Sequence, residues 1–239
     1  MYKLLSPLKP NIKRYWKIFV KQRRFSIQRT LTLEALENIK LNGRVLDFGG
    51  GKNSNYSHLI KKWINTGYLE SANISKSMNP TFLIENQDQL PISDETFNTI
   101  LSLNTFEHIF EIKKNLIELH RVLKKGGNFI FATPFLYKVH GCPDDYIRPT
   151  ASWWGKALEE LNMENIEILP LVWDPITSGF SICDNVFPFS NLFKLVIPIY
   201  GLIYAFFKTK RNETHFPNQV ASKLSQFALG YIITARKSN

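Results

Sequence analysis

The stretch Arg44-Val45-Leu46-Asp47-Phe48-Gly49-Gly50-Gly51-Lys52 decides the fold of this 239-residue chain. Its first half is an apolar run, which predicts a buried strand, and three consecutive glycines follow shortly after the carboxylate. Glycine lets the backbone turn sharply and pass close to a ligand. Residues 55–63 then place apolar side chains at helical spacing. The order of strand, glycine turn and helix is typical of a site for a nucleotide-like cofactor, although the third glycine of a dinucleotide fingerprint is missing.

Predicted strands alternate with helical patterns downstream of this turn. The clearest helix is residues 112–123, where apolar side chains recur on one face. Strands separated by helices predict an α/β fold with a parallel sheet and helices on both faces. Ligands of such sheets bind beyond the carboxyl ends of the strands, so functional residues are expected there. After the first strand at 44–48, strands are predicted at residues 68–74, 81–84, 97–103, 128–132, 166–171 and 230–235.

The positive charge of the chain is concentrated near its start. The net charge is +10, and residues 1–30 hold nine basic groups and no acidic one. We expect residues 1–40 to form a basic helical arm, with helices within 11–24 and across 31–39, ahead of a main domain at 41–239. Interleaved basic and apolar residues favour contact with an anionic membrane surface or nucleic acid, or a helix packed on the domain.

A second unusual segment is residues 186–207, which are rich in aromatic and aliphatic side chains. Its longest uncharged run, 195–207, falls short of the roughly 20 residues that span a bilayer. A buried helical hairpin, a substrate lid and a surface that dips into lipid all fit this composition, and lipid contact is favoured. We expect an apolar helical insertion at about 175–225. The two cysteines, Cys142 and Cys183, are too few and too far apart for a disulfide framework, which indicates a reducing, cytoplasmic compartment.

Further motifs follow the glycine turn in a fixed order. They are Leu90-Pro91-Ile92 before the fourth strand, Glu107-His108 after it, Arg121-Val122-Leu123-Lys124-Lys125-Gly126-Gly127 at a helix end, Ala132-Thr133-Pro134-Phe135, and the closing strand from Gly230. In this order the chain closely resembles the class I S-adenosylmethionine-dependent methyltransferases, over about residues 42–172 and again at the last strand. The resemblance implies a Rossmann-like, mostly parallel seven-stranded sheet. It also implies that S-adenosylmethionine lies across the ends of strands one, two and four.

The resemblance carries residue roles with it. Asn73 falls where the family usually has an acidic residue that holds the ribose hydroxyls, and a neutral amide gives up the strength of a charged hydrogen bond. Glu85 or Asn86 falls near the adenine position, and Asn104 near the methionine end of the cofactor. The turn that binds the methionine portion corresponds to Asp47, Gly49 and Gly51.

The acceptor site is expected in the loop after the fifth strand, at residues 134–150. This loop concentrates titratable side chains at the functional edge of the sheet. His140 is the candidate general base, and Asp144 or Asp145 is the candidate that orients it. The alternative is a turn braced by an Asp145–Arg148 pair, followed by a helix that starts near Thr150.

Three functions stay open. The first is methyl transfer to a small-molecule or lipid-linked acceptor, with O-methylation at the cytoplasmic membrane face. The second is a catalytically silent scaffold, and the third is a nucleic-acid methyltransferase, which is disfavoured because no Asn-Pro-Pro-Tyr-like signature follows strand four. We expect Glu107-His108 to support the site from beneath, and the spacing of the isolated histidines predicts no metal site.

Overall fold

The fold is built on one mixed sheet. The computed structural model describes residues 1–22, 25–85, 89–141, 143–183, 189–208 and 223–239. Within these residues eight strands form a single sheet in the order β1-β7-β8-β6-β5-β2-β3-β4. The strands are β1 (Lys3–Leu4), β2 (Leu41–Phe48), β3 (Ile64–Asn73), β4 (Phe82–Leu83), β5 (Phe97–Leu103), β6 (Leu123–Pro134), β7 (Met163–Leu171) and β8 (Gly230–Lys237).

The predicted α/β fold is confirmed, and the strand count needs one correction. All seven predicted strands are present, and every neighbouring pair runs parallel except those that include β8. The eighth strand is β1, which adds to the sheet edge because Lys3 pairs with Glu167 and Leu4 with Ile168. The order places the carboxyl ends of β2, β3 and β5 side by side, which is where the glycine turn lies.

Helices cover both faces of the sheet. Helices α4 (Ile112–Val122) and α5 (Ala151–Glu160) contribute Leu116, Leu119 and Trp154 to one buried apolar cluster. The cluster on the opposite face is formed by α2 (Ile27–Leu36), α3 (Ser57–Trp63) and the N-terminal helix, α1 (Ile12–Tyr15) with its π-helical continuation (Trp16–Lys21). Helix α2 begins four residues before the predicted helix, because the Ser26 hydroxyl accepts a hydrogen bond from Arg29 N and caps it.

The N-terminal basic segment packs on the rest of the chain. Ile18 and Phe19 are buried in the cluster beneath the sheet. Arg14 forms a bidentate pair with Glu34, and its guanidinium also lies over the Trp173 ring. Part of the positive charge expected to face a partner is therefore neutralised within the fold.

Two further helices follow β7, within the predicted insertion at about 175–225. Helix α6 (Pro175–Cys183) begins where the Asp174 carboxylate accepts hydrogen bonds from the backbone of Ile176 and Thr177. Helix α7 (Ser190–Lys208) approaches Trp173 closely at Gly201, and the Trp173 indole donates to the Pro198 carbonyl at 2.9 Å. Among the described helices, none is both long and apolar enough to cross a membrane. Residues 186–188 of the predicted apolar segment lie outside the described part of the chain.

Candidate functional site

The glycine turn follows β2 directly and is held in close contact with its neighbours. Gly49 has a φ of 88°, in the region that glycine adopts without strain, and its N–H donates to the Ala72 carbonyl at 2.8 Å. A Cβ at Gly49 would collide with the Thr105 side chain, and one at Gly51 would collide with the Met78 carbonyl. The turn therefore needs glycine at both positions predicted for cofactor binding.

Asn73 lies at the end of β3 and contacts the turn through its side chain. Its Nδ2 donates to the carbonyl oxygens of Gly49 and Gly50, at 2.6 and 3.0 Å. Its Oδ1 accepts from Ser75 N at 2.9 Å. The amide predicted to hold the ribose thus has both ends engaged, and it joins the ends of β2 and β3.

Asp47 lies behind the turn and not in the open site. Its side chain is fully buried, and Oδ1 has no hydrogen-bond partner among the described residues. Burial raises the pKa of this carboxyl to about 7, because the charged form loses its hydration. A Cβ at Gly50 would collide with the Asp47 carboxylate. The residue predicted to contact the cofactor is thus packed beneath the backbone of the turn.

Two cavities adjoin at the carboxyl ends of the strands. The first, here called the apolar cavity, has a volume of about 440 Å³ and includes Ile74, Ile84 and Ile109 in its lining. The second, here called the histidine cavity, has a volume of about 410 Å³ and includes His108 and His140. Both are within the size range of small-ligand sites. They share four lining residues: Gly49, Met78, Asn104 and His108.

Asn104 lies where the two cavities meet. It follows β5 with a φ of 53°, a left-handed conformation that asparagine tolerates better than most residues. Its Oδ1 accepts a hydrogen bond from Gln28 Nε2 at 3.1 Å, and Gln28 also lines the histidine cavity. No motif in the sequence points to Gln28, since it lies on α2, ahead of every motif. Asn104 is thus held by the N-terminal segment.

Of the two alternative candidates for the adenine position, Glu85 is not assembled with the other predicted site residues. Glu85 is exposed and lines a separate, shallow depression with Leu83 and Pro91. Asn86 lies outside the described residues. The buried neighbour of Glu85, Ile84, is the side chain of this segment that lines the apolar cavity.

These features fit S-adenosylmethionine. The apolar cavity offers aliphatic walls for an adenine ring, and the turn offers backbone that no Cβ obstructs at Gly49. Polar side chains, including Asn104 and Ser75, lie at its edge. The lining of the apolar cavity therefore suits a ligand with one flat end that packs against aliphatic side chains and one polar end.

The loop after β6 brings the predicted acceptor residues to the histidine cavity. His140 Nδ1 lies 3.4 Å from Asp145 Oδ2, and His140 N donates to the same oxygen at 2.9 Å. Arg148 forms a bidentate pair with Asp145, and these hydrogen bonds lower the pKa of that carboxyl to about 2. Asp145 thus both braces the loop and faces His140. Asp144 contributes its backbone carbonyl, which lies 2.5 Å from His108 Nδ1.

Glu107 and His108 also face the histidine cavity. Glu107 is 1% exposed, and neither carboxylate oxygen has a hydrogen-bond partner among the described residues. Burial raises the pKa of this carboxyl to about 7. Glu107, His108 and His140 form a group whose candidate ligand atoms all lie within 4.8 Å of one another. The sequence did not reveal this group, because His140 joins it only through the fold.

Comparisons with known proteins agree with this architecture. A putative methyltransferase, YrhH of Bacillus subtilis, is 27% identical over 130 residues, which cover 48% of this chain and 71% of that protein. A sarcosine/dimethylglycine N-methyltransferase of Halorhodospira halochloris is 27% identical over 146 residues, or 51% of this chain and 52% of the relative. The chain thus spans about half the length of that relative.

A solved S-adenosylmethionine-dependent methyltransferase from Archaeoglobus fulgidus shares the fold. It superposes with a TM-score of 0.55 at 14% identity, over 95% of this chain and all of that one. The profile of a family described as a methyltransferase domain matches residues 19–168, which is more than half of the chain. The chain therefore belongs to the S-adenosylmethionine-dependent methyltransferases, through its methyltransferase domain.

Proposed function

We propose that this methyltransferase transfers a methyl group to a hydroxyl of a lipid-linked or glycan acceptor at the cytoplasmic face of a membrane. The observation that carries the proposal is the histidine cavity, which adjoins the apolar cavity at Gly49 and Asn104. An acceptor in the histidine cavity lies beside a cofactor in the apolar cavity. Alignment of two reactants supplies much of the rate enhancement of a methyl transfer.

We assign the two cavities different ligands. When bound, S-adenosylmethionine supplies a methyl group carried on a positively charged sulfonium. Gly49 and Asn104 hold its methionine end where the cavities meet, while Ile84 packs near the adenine. Asp47 and Gly51 support the shape of the turn.

A hydroxyl acceptor needs a group that takes its proton, and His140 is our candidate. The carboxylate of Asp145 beside Nδ1 orients the ring and stabilises its protonated form. Asp145 keeps its own charge because Arg148 pairs with it. Asp144 positions His108 through its backbone carbonyl. This assignment follows the general pattern of a base oriented by a third group.

The proposed membrane contact is a stripe of exposed apolar side chains on α7, here called the α7 stripe. Its members are Leu192, Val196, Ile199 and Ile203, which recur at helical spacing and are 43–58% exposed. Apolar side chains of this size on one exposed helix face are typical of a surface that enters the boundary of a bilayer.

The N-terminal helix extends the same surface. The Tyr15 hydroxyl donates to the Leu195 carbonyl at 2.6 Å, so the two helices lie side by side. Ile12 and Trp16 are exposed there, and Lys13 and Lys21 are exposed on the same helix. Apolar and basic side chains together favour anionic lipid over a neutral surface.

Vesicle co-sedimentation tests the membrane part of the proposal. The wild-type chain is mixed with vesicles of anionic phospholipid and compared with a triple variant, Val196→Ser, Ile199→Ser and Ile203→Ser. We expect the triple variant to lose most of the binding. Ile117→Ser is the matched control, because Ile117 is 56% exposed on α4, away from the stripe. Equal sedimentation of all three proteins would contradict membrane contact through the α7 stripe.

Product analysis tests the acceptor class. The enzyme is incubated with membrane lipid extract and S-adenosylmethionine carrying a carbon-13 methyl group. The carbon-13 chemical shift of the product methyl distinguishes oxygen, nitrogen and carbon as the methylated atom. A methyl on oxygen supports the proposal. A methyl on nitrogen, the chemistry for which the Halorhodospira halochloris relative is named, would overturn it.

A further inference from the structure

We propose that Glu107, His108 and His140 form a binding site for one divalent transition-metal ion in the histidine cavity. The three residues come from two segments, the turn after β5 and the loop after β6. All three line the same cavity. Their candidate ligand atoms lie within 4.8 Å of one another. Tetrahedral metal bonds of about 2.1 Å place ligand atoms roughly 3.4 Å apart, so rotation of the more exposed His140 completes the site.

Glu107 gives the strongest indication of a missing ligand. A buried carboxylate normally has hydrogen-bond or ionic partners, because burying an unpaired charge is unfavourable. Both oxygens of Glu107 lack a hydrogen bond among the described residues, although the side chain is 1% exposed. Within 4 Å, the described residues give Glu107 one ionic neighbour, His108 Nε2, which is 3.8 Å from Oε1 and beyond hydrogen-bond distance. A cation bound between them satisfies both groups.

The surroundings of the two histidines match those of metal ligands. A histidine that binds a metal through one ring nitrogen usually has the other held by a carbonyl or a carboxylate. His108 Nδ1 lies 2.5 Å from the Asp144 carbonyl. His140 Nδ1 lies 3.3 Å from the Lys138 carbonyl and 3.4 Å from Asp145 Oδ2. Both rings therefore keep Nε2 available for a metal.

The ligand set indicates which metal binds. Two imidazoles and one carboxylate suit zinc and the neighbouring first-row ions, whereas magnesium and calcium prefer oxygen ligands throughout. Three protein ligands leave at least one coordination position open, which is the arrangement of catalytic zinc sites. The open position faces the histidine cavity, where an oxygen of the acceptor is the ligand of matching chemistry.

The use of that open position rests on the proposed hydroxyl acceptor, whereas the metal site does not. A divalent ion lowers the pKa of a hydroxyl bound to it, so a base is then less important. In the metal-bound protein His140 is a ligand, and in the metal-free protein it keeps its role as the base. The same cavity thus offers two ways to activate the acceptor.

Metal binding to the untagged 239-residue chain is the direct test. The protein is treated with a chelator, exchanged into metal-free buffer and titrated with Zn²⁺ by calorimetry, and Co²⁺ is added separately and followed by visible absorption. We expect one ion per chain, with Co²⁺ bands typical of four or five ligands. Glu107→Gln and His140→Ala should each weaken Zn²⁺ binding by at least about 100-fold, and Asp145→Asn by about 10–100-fold. His58→Ala is the matched control, because His58 is exposed on α3.

Circular dichroism and S-adenosylmethionine binding are measured on the same samples. They show whether each variant is folded, and they separate failure of the metal site from failure of the proposed function. A chain that binds S-adenosylmethionine and vesicles but no Zn²⁺ overturns the metal site alone. Unchanged Zn²⁺ affinity in folded Glu107→Gln and His140→Ala variants overturns it as well.

Discussion

Asn73 donates hydrogen bonds to the carbonyl oxygens of both Gly49 and Gly50, at 2.6 and 3.0 Å, and so fixes the end of β3 to the glycine turn. The resemblance to class I methyltransferases implies an acidic residue at this position. An acidic side chain here would place oxygen against two carbonyl oxygens. The amide is therefore a donor that the local backbone requires.

The first prediction concerns Asn73→Asp. We expect this variant to unfold more easily by about 1–3 kcal/mol and to bind S-adenosylmethionine more weakly, because buried acceptors lose their donor. Urea denaturation and calorimetry measure the two effects. Asn73→Ala is the control, since it removes the donor without adding a charge. Tighter cofactor binding by Asn73→Asp would show instead that the side chain leaves the turn to hold the ribose.

The second prediction concerns the turn itself. Gly49→Ala should abolish S-adenosylmethionine binding, because Cβ would meet the Thr105 side chain and the φ of 88° strains any other residue. Gly179→Ala is the matched control. Gly179 is exposed in α6, and no described atom lies within 4 Å of its added Cβ, so this variant should gain about 0.5–1 kcal/mol of stability. Calorimetric titration with S-adenosylmethionine compares the two proteins, and measurable affinity in Gly49→Ala would contradict the assignment.

The third prediction concerns pH. Burial raises the pKa of Asp47 to about 7, whereas an unfolded aspartate titrates near about 3.9. Below about pH 4 the carboxyl is protonated in both states, and its contribution to stability is fully present. As the pH rises to about 7 the unfolded chain releases this proton first, so the free energy of unfolding falls by up to about 4 kcal/mol.

Asp47→Asn isolates that effect, because the amide resembles the protonated acid. Urea denaturation of both proteins from about pH 5 to about pH 8 should show a smaller loss of stability in the variant. The buried Glu107 carboxyl has its pKa raised to about 7 as well, but it is present in both proteins and cancels in the difference. Parallel stability curves would mean that Asp47 is ionised in the folded protein, with a partner that satisfies it.

Much of the sheet is predictable from local sequence. Most of the seven predicted strands are short segments rich in apolar residues, and β5 has the predicted bounds, Phe97–Leu103. β1 is different because two residues, Lys3 and Leu4, carry no periodic pattern. Their pairing with Glu167 and Ile168 depends on a strand far along the chain. The presence of a strand can thus be recognised from neighbouring residues, whereas the pairing of an edge strand depends on residues far along the chain.

In the candidate site, too, some residues are recognisable from local sequence and others are brought together only by the fold. The glycine turn is contiguous, so its residues are recognisable together. The group of Glu107, His108 and His140 forms because Tyr146 N donates to the Glu107 carbonyl at 2.8 Å and the loop folds back over the turn. No spacing in the sequence encodes that contact.

The two faces of α7 are expected to respond differently to substitution. Gly201 lies against Trp173 and Asp174, and a side chain there would collide with both. Gly201→Val should therefore lower the free energy of unfolding by about 1–3 kcal/mol, the usual cost of overpacking. Ile199→Ser, on the exposed α7 stripe, should change stability by less than about 0.5 kcal/mol while weakening vesicle binding. Urea denaturation and vesicle co-sedimentation of both variants give the comparison. A large loss of stability in Ile199→Ser would mean that the stripe is packed within the protein in solution, and membrane contact through α7 would then be excluded.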